Sequence, residues 1–173
     1  MRSRENEFYR RIAYLDVLTG IKNRNAYESD LTQLDAAREA YGDIWCIVID
    51  LNGLKTLNDA YGHAAGDSLL QAMGHILDSV AQRAHGVYRI GGDEFVVLLT
   101  HGHIEATSRL IEALYDERAA YNAAAAHPLT FSMGFACYNR VKHTTLADMV
   151  READEMMYND KFYQKNSGSS HRQ

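Results

Sequence analysis

Three acids carry the chemistry that this sequence suggests: Asp50, at the end of the apolar run "IWCIVIDL", and the adjacent pair Asp93 and Glu94 in "YRIGGDEFVVLL". Two neighbouring carboxylates repel each other unless a cation lies between them. If the segment holding Asp93 and Glu94 pairs beside the run ending in Asp50, the three acids converge at one edge of a sheet. Oxygen ligands from two chain segments with an open face suit Mg²⁺, and hence phosphate chemistry. Each acid alone also has a plainer reading, Asp50 as a cap after a strand and Asp93 and Glu94 as a solvated turn. Their joint placement favours the metal.

Between these acids runs "DLNGLKTLNDAYGHAAGD", residues 50 to 67. The N–H groups of Leu51 to Leu54, leaving a strand and opening a helix, can cradle phosphate, with Gly53 allowing close approach. Lys55 would add a point charge there, or simply be a solvated helix lysine. Asn58 and Asp67 offer an amide and a carboxylate able to meet the acceptor and N–H donor edges of guanine, or are a turn residue and an N-terminal helix acid. His63 between them either contacts substrate or fills the turn.

The elements that must position these groups follow from periodicity. Phe8, Ile12 and Leu15 have helical spacing, so residues 1 to 15 read as the end of a linker helix. Asn23 caps a helix to about Tyr41. Residues 44 to 51, β-branched and apolar, form a buried strand. A short helix spans about Leu54 to Ala60, and a longer one opens at Gly66-Asp67 and reaches about Ala84. Residues 86 to 99 form a hairpin whose two-residue turn is Gly91-Gly92, both at positive φ. A helix over 104 to 122, a strand from 129 and a helix over 145 to 165 follow, and 166 to 173 read as a disordered tail. The hairpin excludes a purely parallel sheet. The expected class is α+β, a mostly antiparallel sheet flanked by helices, ferredoxin-like or polymerase-palm-like.

The chain's 173 residues, 46% apolar and 24% charged, are enough for one domain with its own core. A net charge of −5 argues against a polynucleotide partner but not against a mononucleotide. Cys46 and Cys137 lie in apolar runs and read as reduced core residues rather than a disulfide. No membrane-spanning or secretory segment is evident, so a cytoplasmic location is expected, with any membrane anchor placed upstream.

Taken together, "DVLTGIKNR", "DLNGLKTLNDAYGHAAGD", "RIGGDEF" and "ADEMMYNDK" resemble, in order and over residues 16 to 165, the GGDEF family of diguanylate cyclases. The resemblance implies a palm-like domain that condenses two GTP into cyclic di-GMP and two pyrophosphates. It implies Mg²⁺, with Mn²⁺ as a substitute, held by Asp50, the Leu51 carbonyl and Asp93, with Glu94 at the same site. Asp93 stands where the family's proton acceptor for the ribose 3′-OH is proposed, and Lys55 where the transition-state stabiliser is. Asn58, His63 and Asp67 match guanine-binding positions, Gly91 and Gly92 leave room for nucleotide, and Lys161 matches a γ-phosphate contact. A homodimer and an upstream sensory or regulatory domain are implied as partners.

Departures from the family pattern are also legible. Asn52 stands where a second acid is frequent, Leu54 where phenylalanine is, and Lys165 where an arginine is usual, losing a bidentate fork at the phosphates. Gln82 and His85 replace the arginine and aspartate of the family's product-binding RxxD motif. The rival reading is a catalytically silent, GTP-binding regulatory module, which would be expected to have lost the metal or base residues that this chain keeps.

Overall fold

All seven residues of strand β1 (Trp45–Leu51) are buried, so it must be covered on both faces. It is a central strand of a four-stranded antiparallel sheet ordered β2-β3-β1-β4, with β2 at Gly86–Arg89, β3 at Glu94–Leu99 and β4 at Phe131–Cys137. The computed structural model describes residues 13 to 169.

Side chains alternate across a strand, and the alternation along β1 divides the core in two. Ile47, Ile49 and Leu51 pack with Phe95, Val97 and Phe131 against helices α3 (His63–Val80) and α4 (Ile104–Ala124). Cys46 and Val48 pack with Val96 and Leu98 against helices α1 (Arg24–Ala36) and α5 (Leu146–Ser169). Helix α2 (Leu54–Tyr61) leaves the end of β1 and packs on α3. The expected α+β, mostly antiparallel architecture is the one observed. The same parity puts Asp50 on the face covered by α5.

Glycine is sterically required where α5 crosses β4. A Cβ on Gly134 would stand 2.0 Å from the Ala153 carbonyl oxygen and 2.4 Å from the Met157 nitrogen, so the helix can sit this low only over glycine.

Several boundaries differ from expectation. Asn23 does cap α1, accepting from the Ala26 N–H at 3.1 Å, but the helix stops at Ala36 and a 3₁₀ turn, Arg38–Tyr41, follows. The tightening is local: Arg38 bonds back to Asp35, whose Oδ1 also accepts from the Leu146 N–H at the start of α5. Helix α3 begins at His63 and ends at Val80, because Gly62 at φ 85° separates it from α2 earlier than Gly66 would. The last strand starts at Phe131 rather than 129, since the N–H and C=O of Leu129 are taken by the Asn122 side chain. Helix α5 continues through Ser169, past the expected end at Lys165, into residues expected to be tail. Of the expected linker helix, Phe8 and Ile12 lie outside the described residues, Ala13 and Tyr14 are helical, and Leu15, one residue on, bridges to Lys22.

Cys46 is buried as expected, whereas Cys137 is only half-buried, and both are free thiols. Among the described residues no helix is long and apolar enough to cross a membrane.

Candidate active site

Antiparallel register brings the acids together. Asp50 pairs with Glu94 across β1 and β3, and the Leu51 N–H donates to the Asp93 carbonyl at 2.9 Å. Directly opposed residues share a face, so Asp50 and Glu94 both lie on the side facing α1 and α5. Asp50 is 7% exposed, and Asp93 and Glu94 are half-buried.

The hairpin tip is not the tight turn expected. Strand β2 ends at Arg89 and β3 starts at Glu94, leaving residues 90 to 93 as a looser connection in which neither glycine takes a left-handed φ. Gly91 bears instead on where the Glu94 carboxylate sits. A Cβ there would come within 2.3 Å of Glu94 Oε2, so glycine makes space for the carboxylate. Around Gly92 the space is open.

Two arginines that sequence reasoning passed over hold this tip. Arg89 donates to the Gly92 carbonyl from Nε and Nη2, at 3.3 and 2.8 Å, and its Nη1 bridges both carboxylate oxygens of Asp16. Arg24, on α1, donates to the Ile90 carbonyl at 2.7 Å. Burial pulls the Asp16 carboxyl up, but the Thr19 hydrogen bonds and Arg89 outweigh it and hold its pKa below the usual value. The signal was in plain sight, since Asp16 and Arg24 bound "DVLTGIKNR" and Arg89 opens "RIGGDEF".

Electrostatically the cluster calls for a cation. Burial pushes the Asp50 carboxyl up, Lys161 opposes this through a hydrogen bond, and the charge of Asp93 adds to the rise, with a net pKa above normal. Glu94 is raised by burial first and then by Asp93 and Asp50. Such mutual repulsion is what a divalent ion relieves, and an all-oxygen set of Asp50, Asp93 and the Leu51 carbonyl suits Mg²⁺. Among the described residues no three carboxylate, imidazole or thiolate side chains already stand around one point. The groups here that could hold such an ion are two carboxylates and a backbone oxygen.

Lys161 reaches the cluster from α5, its Nζ 2.6 Å from Asp50 Oδ1. Lys165, one turn on, is near enough for its charge to lower the Asp50 pKa. Lys55 is exposed in the first turn of α2. The phosphate cradle expected over Leu51 to Leu54 narrows, because the Leu51 and Asn52 N–H groups are spent on Asp93 and Thr130. Gly53, at φ 74°, and Leu54 remain as the backbone groups of that stretch at the start of α2.

The residues matched to guanine binding gather where α2 meets α3. Asn58 packs against Gly66, beside Asp67, and its Oδ1 is buried without a hydrogen-bond partner among the described residues. Asp67 is exposed in the second turn of α3, and His63, exposed at its first position, does not fill a turn. Cavities of 610 Å³, at Arg38, Tyr138 and His143, and 630 Å³, at Gln82, Arg83 and His101, lie at the opposite end of the sheet and include none of these groups.

The model of the diguanylate cyclase GGDEF domain matches residues 13–167. Diguanylate cyclase DgcS of Shewanella oneidensis is 34% identical over 150 residues, which are 86% of this chain and 50% of that protein. The crystal structure of a sensory box/GGDEF family protein from Caulobacter crescentus superposes with a TM-score of 0.74 at 30% identity, over 87% of this chain and 99% of that one. The GGDEF domain of DgcB from Caulobacter crescentus, solved in complex with c-di-GMP, shares the fold with a TM-score of 0.75 at 24% identity, covering 86% and 90%. The chain spans half or less of the length of the first curated relatives it matches. With the motifs, the antiparallel palm-like sheet and the paired acids at one end of it in agreement, this chain belongs to the GGDEF domain family.

Proposed function

We propose that this domain is a diguanylate cyclase, joining two GTP into cyclic di-GMP with release of two pyrophosphates. The observation that carries the reading is the cross-strand pairing of Asp50 with Glu94 beside Asp93, with a lysine and a phosphate cradle at the same end of the sheet. Family relatives named as diguanylate cyclases support it.

In this reading Asp50, Asp93 and the Leu51 carbonyl hold Mg²⁺ or Mn²⁺, with Glu94 beside them. The ion supplies Lewis-acid stabilisation of charge at the α-phosphate and on the leaving pyrophosphate. Asp93 accepts the proton of the ribose 3′-OH as that oxygen attacks. Lys55, Gly53 and Leu54 bind phosphate oxygens, and Lys55 offsets charge that develops in the transition state. Lys161 and Lys165 hold the outer phosphates, and open space at Gly92 beside Gly91 admits the nucleotide. Asn58, His63 and Asp67 bind guanine, the Asp67 carboxylate accepting from N1–H and N2–H₂.

One domain carries one such set, while the product requires two attacks on two α-phosphates. Two GTP-loaded copies facing each other supply both, and the encounter replaces a rare bimolecular alignment. Product feedback through an RxxD motif is not expected with Gln82 and His85 at its positions. An upstream sensory or regulatory domain would control pairing, at a membrane or in the cytoplasm.

Chromatography of the products from GTP and Mg²⁺ at several protein concentrations tests this. Cyclic di-GMP should form, with specific activity rising with concentration, and Asp93→Asn should lower the rate at least about a hundredfold without unfolding the domain. GTP binding without any product would favour the silent regulatory module.

A further inference from the structure

Asp50 is the most buried of the acids, and its Oδ1 already has a cationic partner in Lys161, 2.6 Å away. That lysine is not a loose surface group. Asp160, just before it, accepts from the Met133 N–H of β4 at 3.0 Å and from Gln164 Nε2 at 2.9 Å. Gln164, one turn on, also donates to the Phe131 carbonyl at 3.2 Å and accepts from Asn52 Nδ2 at 3.0 Å. Asn52 Oδ1 in turn accepts from Ser132 Oγ at 3.2 Å. A polar clasp therefore grips α5 on both sides of Lys161 and holds its ammonium group over Asp50.

Asn52 has a specific part in the clasp. Its NH₂ donates to the Gln164 side-chain amide oxygen, Oε1, whereas a carboxylate at this position could only accept. An acid here, as the family often has, would break the link and bring a further negative charge to the cluster.

We propose that Lys161 is a tethered competitor for the divalent cation at Asp50, yielding that carboxylate only when the nucleotide's phosphates offer its ammonium group another partner. The inference rests on the reading of Asp50 as a metal ligand. An ammonium and a divalent ion draw on the same carboxylate charge, and with a side chain only 9% exposed Asp50 has little room for both. Because the lysine is covalently attached and clasped, it competes at a high effective concentration. Divalent cation alone thus binds weakly, and cation and triphosphate bind as a cooperative pair. By linkage, GTP must strengthen cation binding by the same factor as the cation strengthens GTP binding.

The test is calorimetric titration of Mn²⁺ into the nucleotide-free chain, with wild type, Lys161→Met, Lys161→Gln, Gln164→Ala and Asp50→Asn compared after circular dichroism confirms folding. Both Lys161 variants should bind Mn²⁺ about tenfold more tightly than wild type, given the strength of a charge-assisted hydrogen bond. Gln164→Ala should tighten binding by a smaller factor, and the gain in Mn²⁺ affinity on adding GTP should shrink in all three. Unchanged or weaker Mn²⁺ binding in both Lys161 variants, with binding lost in Asp50→Asn, would overturn the competition while leaving the metal site intact. Undiminished Mn²⁺ binding in Asp50→Asn would remove the metal assignment, and the proposal with it.

Discussion

Gly66 on α3 and Asn58 on α2 are in mutual contact so close that a Cβ on Gly66 would stand 2.0 Å from Asn58 Oδ1. That oxygen is buried and, among the described residues, has no hydrogen-bond partner. A buried, unpaired amide oxygen costs stability, and such costs collect at binding sites. The contact thus sets the direction of an amide that the proposed reading gives to guanine.

Replacing Gly66 by alanine separates folding from binding. Alanine favours the helix interior by about 1 kcal/mol, and the atom it meets is the end of a side chain that can turn away. Stability should change by less than about 1 kcal/mol, while GTP affinity falls because Asn58 is displaced. Gly134→Ala is the contrast, since its Cβ meets the backbone of α5, and about 1–3 kcal/mol or more should be lost to overpacking. Thermal melts and GTP titrations of the two variants check this. Intact GTP binding in Gly66→Ala would take Asn58 out of the base site.

Base selectivity should depend on Asp67. Adenine has no N1–H and no exocyclic N2 donors for a carboxylate to accept. Asp67→Ser should therefore reduce the preference for GTP over ATP at least about tenfold. Asp67 is exposed on α3, so the variant should melt as wild type does. Competition between the two nucleotides in a product assay reads the ratio, and an unchanged ratio would refute the assignment.

The brace between Arg89 and Asp16 predicts a pH signature. The folded Asp16 pKa lies below the unfolded value near 3.8, so its contribution is present above that value and is lost as pH falls through the folded pKa. Asp16→Asn should melt lower than wild type at pH 7, and the gap should close as pH drops below about 4. Melting curves across that range test it. A gap of constant size would mean that Asp16 acts through shape rather than charge.

Much of the site was legible in the chain itself. Asp50, Asp93 and Glu94 were recognisable because acids beside apolar strand segments break the local pattern, and a hairpin beside the first strand was enough to bring them together. Gly53 and the short helix after it followed from turn chemistry. The guanine candidates Asn58 and Asp67 were legible only as residue types. Their closeness depends on α2 folding back onto α3 at Gly62.

Other features were decided only in three dimensions. The period-two alternation of β1 determined that Asp50 shares a face with Val48, but not which helix would cover that face. Docking of α5 over Gly134 settled this, and it brings Lys161 to an acid 111 positions earlier in the chain. The Arg89–Asp16 brace, the clasp through Asn52 and Gln164, and the role of Gly91 as space for Glu94 likewise depend on contacts between distant segments. Local propensity and periodicity are set by neighbours along the chain, so the sequence by itself determined the elements and the acids at their ends. Which polar groups meet was left to the packing of helices on the sheet, where burial makes each unpaired charge costly enough to select its partner.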